Sequence, residues 1–190
     1  MYLVNDIIAF LAANLILSQA LGTSSLFIAA QSRKNLTGIA FCIMLFTTFG
    51  TGCAYIVDSV LPFGASEFRL LLYTAAVSVF YILLLVLLYF ARPGDYAQLR
   101  KYVHLSAFNC AVMGTLFTMS GKAEEDSSLM SFGEYVRFGF EAGLGFIAAA
   151  LILTAAYRRL NSSKVPQSFR GGPAMLIYIG IISMAVWSLK

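Results

Sequence analysis

Thiols and carboxylates near long uncharged stretches are the side chains of this 190-residue chain most able to do chemistry. The candidates are the thiols of Cys42, Cys53 and Cys110 and the carboxylates of Asp58 and Glu141. A thiolate is a nucleophile and a ligand for soft metals, and an ionisable group at membrane depth marks an ion or proton path by default. Because the thiols are odd in number and all lie in apolar stretches, no disulfide framework is expected. The common alternative for each is a small buried apolar residue.

The two acids each have two interpretations. Glu141 follows Arg137 by one helical turn, so it is either an ion path candidate or an interfacial acid paired at i,i+4. Asp58 closes an uncharged stretch and is either an ion path candidate or a solvated loop acid. His104 is interpreted as a hydrogen-bonded polar residue more readily than as a ligand or proton relay.

The elements that carry these residues are six stretches of 19–26 residues in which Glu141 is the one charged residue. The other 21 of the 22 charges lie outside them. About 20 apolar residues cross a bilayer core of roughly 30 Å. The sequence therefore predicts an all-α polytopic membrane protein with six transmembrane helices, forming a single integral membrane domain over residues 1–190. The stretches are 7–32, 35–57, 70–91, 102–121, 138–157 and 171–189.

The distribution of charge also excludes several classes of protein and predicts an orientation. Amphipathic helices of soluble domains carry polar residues along their whole length, so a soluble enzyme, a nucleic-acid binder and a disordered chain are excluded. Nine of the 13 Lys and Arg residues lie in the first, third and fifth connections, against three in the second and fourth. The positive-inside rule then places both termini on the outer side of the membrane.

The chain divides into two halves, about 1–91 and 92–190, at the polar break that begins with Arg92. Three spans in each half force the second half to run in the opposite direction, which is the arithmetic of an inverted repeat. Such repeats often place function at the midplane, where corresponding helices are broken. Residues 19–25 in the first span and 106–114 in the fourth are rich in Gly, Ser, Thr and Asn, and we expect both helices to be broken there.

Three segments of the chain resemble the Rnf/Nqr family of six-helix membrane subunits. This family is shared by the Rnf electron-transport complex and the sodium-pumping NADH:quinone reductase. Span count and segment order agree as well, so the resemblance covers the whole chain, and the predicted orientation is that of the A-type subunits. The segments are Asn109-Cys110-Ala111-Val112-Met113-Gly114, Val165-Pro166-Gln167-Ser168-Phe169-Arg170-Gly171 and Cys53-Ala54-Tyr55-Ile56-Val57-Asp58.

The resemblance implies a mechanism and a set of partners. Two such subunits of opposite orientation would pair within a larger redox complex, each giving one cysteine from broken span 1 and one from broken span 4. Their four thiolates would hold a [2Fe-2S] cluster at the midplane, with Cys110 as the span-4 ligand. Clusters of this kind are held by thiolates on preorganised loops, and a buried relay suits a hydrocarbon core too thick for one electron-transfer step.

The sequence departs from the family pattern at two positions. The family has a cysteine where this chain has Ser24, and oxygen is a poorer cluster ligand than sulfur. The family also tends to carry proline at the position of His104. Three interpretations stay open: the cluster is kept with Ser24 as an unusual ligand, it is held by other groups, perhaps from a partner, or it has been lost.

The function expected from these residues is that of an integral membrane subunit of a redox-driven ion-translocating complex in a prokaryotic inner membrane. It would pass electrons through, or scaffold, a midplane [2Fe-2S] relay shared with an inverted homologous subunit. No catalytic residue is expected in the chain alone, since it shows no nucleotide or flavin motif. The alternative is a small six-helix substrate-binding module or transporter without a redox role.

Overall fold

A computed structural model describes residues 18, 21–61, 66–162 and 165–187 of the chain. Over these residues the secondary structure consists of seven α-helices and one short 3₁₀ turn, with no β-strand, so the prediction of an all-α fold is confirmed. The helices are α1 Thr23–Gln31, α2 Arg33–Val60, α3 Ser66–Ala91, α4 Tyr96–Ala107, α5 Cys110–Glu125, α6 Phe132–Leu160 and α7 Gly172–Trp187.

Three helices are long and apolar enough to cross a membrane. These segments are Asn35–Val60 in α2, Phe68–Ala91 in α3 and Phe132–Tyr157 in α6. They contain the second, third and fifth uncharged stretches, and each extends a few residues past its stretch because helical hydrogen bonding continues beyond the apolar core. The sixth stretch forms α7, whose apolar part, Gly172–Ala185, is shorter.

Helix α2 lies at the centre of the fold and packs against α1, α3, α4, α5 and α6, most extensively against α6. Two glycines of α6 allow the close approach. A Cβ on Gly139 would collide with the Oγ1 of Thr51, and a Cβ on Gly143 would lie 2.8 Å from the Cα of Met44. The Gly-x-x-x-Gly spacing of α6 therefore serves packing within the chain. In contrast, α3 is largely uncovered along its apolar length.

The fourth uncharged stretch is broken, as predicted. Helix α4 ends at Ala107 and α5 begins at Cys110, and between them Asn109 has an extended backbone with φ −86° and ψ 139°. The interpretation of 92–101 as a polar connection is wrong in its second half, because α4 already begins at Tyr96. Charge counting missed this start because the first turns of α4 carry their charges on an exposed face.

The first uncharged stretch is described only from Ser18 onward, and its residues 7–17, 19 and 20 lie outside the described part of the chain. Ser18 is helical, Leu21 and Gly22 form a turn, and α1 follows from Thr23. Gly22 has φ +76°, a left-handed conformation that glycine adopts without steric cost. An interruption thus lies within the predicted segment 19–25, but Ser24 belongs to the first turn of α1 rather than to the turn itself.

Candidate site where two helix interruptions meet

The turn before α1 lies directly against the break between α4 and α5. The backbone N–H of Gly22 donates a hydrogen bond to the Sγ of Cys110 at 3.0 Å. On one side of this contact Leu21 packs against Gly114, and on the other the Oγ of Ser25 donates to the carbonyl of Leu105 at 3.3 Å. Because lower numbers in one segment face higher numbers in the other, the two segments pass each other in antiparallel directions.

The break in the fourth span is stabilised by side chains that replace lost helical hydrogen bonds. Asn109 is the N-cap of α5, and its Oδ1 accepts from the backbone N–H of Ala111 at 3.1 Å. Its carbonyl accepts from the N–H of Val112, which continues the ladder into α5. The hydroxyl of Ser25 satisfies the carbonyl of Leu105, one of the carbonyls that the end of α4 leaves without a helical partner.

Gly22 is required at the contact for two reasons. Its left-handed backbone is strained for any residue with a Cβ. A Cβ there would also lie 2.8 Å from the Cβ of Ala111 and 3.3 Å from the Oδ1 of Asn109. The glycine therefore lets the two interruptions touch and brings its N–H within reach of the sulfur.

The side chains able to do chemistry at this site face outward from the chain. Cys110 is exposed, as is Ser24, two residues after Gly22. Cys110 is also the first residue of a 16-residue helix, and the N-terminus of a helix stabilises a negative charge such as that of a thiolate. The arrangement thus offers one sulfur ligand and one hydroxyl oxygen at the surface, with a backbone donor aimed at the sulfur.

The polar groups around Cys110 fit an anionic sulfur centre. Asn109 is 4% exposed, and its Nδ2 has no hydrogen-bond acceptor among the described residues. That nitrogen would lie 3.5 Å from a Cβ on Gly22, so it stands beside the Gly22–Cys110 contact. A buried donor without an acceptor costs about 1–3 kcal/mol. Hydrogen bonds to sulfur are what iron–sulfur centres receive from their protein surroundings.

The chain does not complete such a centre alone. Within the described ranges, no group of three or more His, Cys, Asp or Glu side chains could hold a metal ion. Cys42 is buried in the hydrophobic core and Cys53 is partly buried, both on α2. They match the small-apolar interpretation and give the site no second thiol. One thiol from this chain therefore fits a centre whose other ligands come from elsewhere.

Asp58 lies in a buried cluster at the other end of the helices. Its carboxylate accepts hydrogen bonds from the hydroxyls of Tyr73 at 2.5 Å and Tyr135 at 2.8 Å, and the Nε of Arg69 is 3.7 Å away. The side chain of Asp58 is fully buried, so its interpretation as a solvated loop acid is wrong. The interpretation assigned Arg69 to a loop, although the Arg69-x-x-x-Tyr73 spacing already places both residues on one face of α3.

The other acid, Glu141, is exposed and binds Arg137. The Nε of Arg137 donates to its Oε1 at 2.9 Å, and Glu134 lies on the other side of the same guanidinium. The i,i+4 pairing suggested by the sequence is confirmed. Glu141 therefore belongs to a surface ion pair on α6 and is separate from the cluster around Asp58.

His104 is exposed on α4 and points toward α3 rather than toward Cys110. Its two ring nitrogens interact with Tyr81 and Arg100. The interpretation of His104 as a hydrogen-bonded polar residue is confirmed.

Comparison with known proteins places the whole chain beside one group of membrane proteins. A family model described as "Rnf-Nqr subunit, membrane protein" matches residues 3–190. The A-type subunit of the ion-translocating oxidoreductase complex from Histophilus somni (strain 2336) is 26% identical over 186 residues, which cover 97% of this chain and 93% of that protein. The protein of the same name from Shewanella sediminis (strain HAW-EB3) is 27% identical over 187 residues, covering 97% and 94%. The one from Vibrio campbellii (strain ATCC BAA-1116) is 24% identical over 177 residues, covering 92% and 89%.

Proposed function

The chain belongs to the Rnf-Nqr family of membrane subunits, and from this membership we propose that it is an integral subunit of a redox-driven, ion-translocating oxidoreductase complex. Relatives that carry this description match nearly their entire length. The apolar helices α2, α3 and α6 support a place in a prokaryotic inner membrane. The basic connections favour an orientation with both termini outside.

Within that complex we assign to Cys110 the role of a ligand to a [2Fe-2S] cluster. The observation that carries this assignment is the 3.0 Å hydrogen bond from the Gly22 N–H to the Cys110 Sγ, made where two helix interruptions meet. Gly22 and the N-terminus of α5 stabilise the thiolate, and the Nδ2 of Asn109 stands ready for an acceptor. When bound, the cluster supplies one-electron transfer between donor and acceptor.

The remaining ligands come from a partner, which we propose to be a homologous subunit of inverted orientation. Two features support this partner. Cys110 and Ser24 are exposed, and broken backbone at membrane depth requires cover by protein or by a water-filled cavity. The antiparallel passage of the two interrupted segments also agrees with two inverted three-helix repeats, each beginning with a broken helix. Ser24 faces the same partner as the weaker, oxygen ligand.

The proposal is tested by purifying the chain from its native membrane in mild detergent through a tag on its C-terminus. We expect it to co-purify with a second six-span protein and with redox-active subunits, and the absorption spectrum of the preparation to change on reduction with dithionite. A preparation that lacks redox-active subunits and retains a small organic molecule would overturn the proposal. That result would favour the alternative of a substrate-binding membrane module.

A further inference from the structure

Tyr81, Arg100 and His104 form a hydrogen-bonded group on the outside of the chain, which we call the polar triad. The Nε of Arg100 donates to the Nε2 of His104 at 3.0 Å, and the hydroxyl of Tyr81 lies 2.5 Å from Nδ1. An N–H donor requires a lone pair at Nε2, so the proton of the neutral ring is on Nδ1 and is donated to the Tyr81 oxygen. The hydroxyl hydrogen of Tyr81 and the terminal nitrogens of Arg100 then remain as donors.

The polar triad lies deep in the membrane. Tyr81 precedes the end of α3 at Ala91 by ten residues, which is about 15 Å along a helix. Half of a bilayer core is also about 15 Å. Arg100 directs its Nε toward His104, whereas an isolated arginine at a membrane surface extends its charge toward water. The triad is therefore held near the midplane.

Lipid is a poor neighbour for this surface. Ionisable residues within membranes almost always face protein or a water-filled cavity, because hydrocarbon accepts no hydrogen bonds. His104 and Arg100 are exposed from the chain, and they are flanked by the exposed apolar side chains of Leu105 and Phe108. Donors at the centre with an apolar rim are typical of a protein-docking surface.

The charge of the surface indicates what docks on it. Arg100 and its neighbour Lys101 are both positive, and neither forms an ion pair with any carboxylate in the part of the chain that the structure describes. The donors that the triad leaves, a hydroxyl and a guanidinium fork, match a carboxylate. We infer that the α4 face around the polar triad binds a membrane-spanning surface of another subunit that presents an acidic side chain to Arg100. The inference rests on the proposed function only in that the chain is part of a complex.

The covering of this face is tested by labelling the intact complex, reconstituted in lipid, with a membrane-partitioned carbene reagent such as trifluoromethyl-phenyldiazirine. Val79 is the matched control, since it lies two residues from Tyr81 and about 200° around α3. Phe108 and Val79 are similarly exposed from the chain, at 56% and 64%. We expect mass spectrometry to find at least about tenfold less label on Phe108 than on Val79. Equal labelling of the two residues would overturn the inference and leave the redox role intact.

The acidic partner is tested by three substitutions in the same complex. Arg100→Gln removes the charge, Arg100→Lys keeps it, and Arg92→Gln removes a charge from an exposed position beyond α3. We expect Arg100→Gln to weaken retention of the neighbouring subunit during size-exclusion chromatography by about tenfold or more. The other two variants should stay within about twofold of the unmodified complex. Unchanged retention in Arg100→Gln would show that no carboxylate is bound there.

Discussion

At the scale of single residues, Asn109 links the shape of the fourth span to its chemistry. Its Oδ1 caps α5, while its Nδ2 lies beside the sulfur of Cys110 without an acceptor of its own among the described residues. The two roles can be separated, because aspartate caps a helix as well as asparagine does but donates no hydrogen bond.

We expect Asn109→Asp to leave the complex assembled and to lower the reduction potential of its cluster. The substitution removes a donor and adds a negative charge beside sulfur, and both changes disfavour the more negative reduced state. A redox titration followed by EPR measures the shift. Asn109→Ala is the control for the cap: it should lower thermal stability by about 1 kcal/mol. An unchanged potential in Asn109→Asp would mean that Nδ2 donates to something other than the cluster.

Ser24 is the residue at which the sequence raised a doubt that the structure sharpens. It is exposed, two residues from Gly22, on the same surface as Cys110. Because clusters prefer thiolate to hydroxyl, we expect Ser24→Cys to raise the iron and acid-labile sulfide retained per purified complex. Thr23→Cys adds a thiol one residue away and should give no increase. Equal iron in Ser24→Cys and the unmodified complex would exclude position 24 as a ligand site.

At the scale of elements, the sequence predicted the helices well and their ends poorly. The uncharged stretches located α2, α3 and α6, and the Gly, Ser and Asn residues of the fourth stretch located its break. The start of α4 at Tyr96 was missed because Arg100 and Lys101 are helical although charged. The contact of Gly22 with Cys110 joins residues 88 positions apart, and no local pattern reports such a pair.

The contact between the two interrupted segments is tested by Gly22→Ala. We expect a loss of about 1–3 kcal/mol in stability, since the new Cβ both strains a left-handed backbone and overpacks against Ala111. Thermal unfolding of the purified complex measures the effect. Gly180→Ala is the matched control, because a Cβ there meets nothing within 4 Å, and it should be neutral or slightly stabilising. Equal melting temperatures for the two variants would contradict the close approach.

At the scale of the whole molecule, one polar cluster ties four helices together at the end opposite the start of α4. Asp58 of α2 binds Tyr73 of α3 and Tyr135 of α6, and Arg69 donates to Ser120 of α5 at 3.1 Å. The sequence identified Asp58 as a candidate but not its partners, which come from other helices. A buried acid with these partners stabilises one arrangement of the two halves.

We expect Asp58→Asn to destabilise the protein by about 3–5 kcal/mol, because it leaves the guanidinium of Arg69 in a buried position without its buried counter-ion. Glu124→Gln is the matched control. Glu124 lies 3.7 Å from the same arginine, but its side chain is 53% exposed, and surface pairs contribute about 0–1 kcal/mol. Thermal unfolding in detergent compares the two variants. A similar loss in both would mean that the burial of Asp58 does not decide its contribution.

The central claim for the whole molecule is that Cys110 ligates a redox centre shared with another subunit. EPR spectroscopy of the dithionite-reduced complex tests it most directly. We predict a [2Fe-2S] signal in the unmodified complex and in Cys53→Ala, and its loss in an assembled Cys110→Ala complex. A cluster signal that survives Cys110→Ala unchanged, or its absence from the unmodified complex, would contradict the claim.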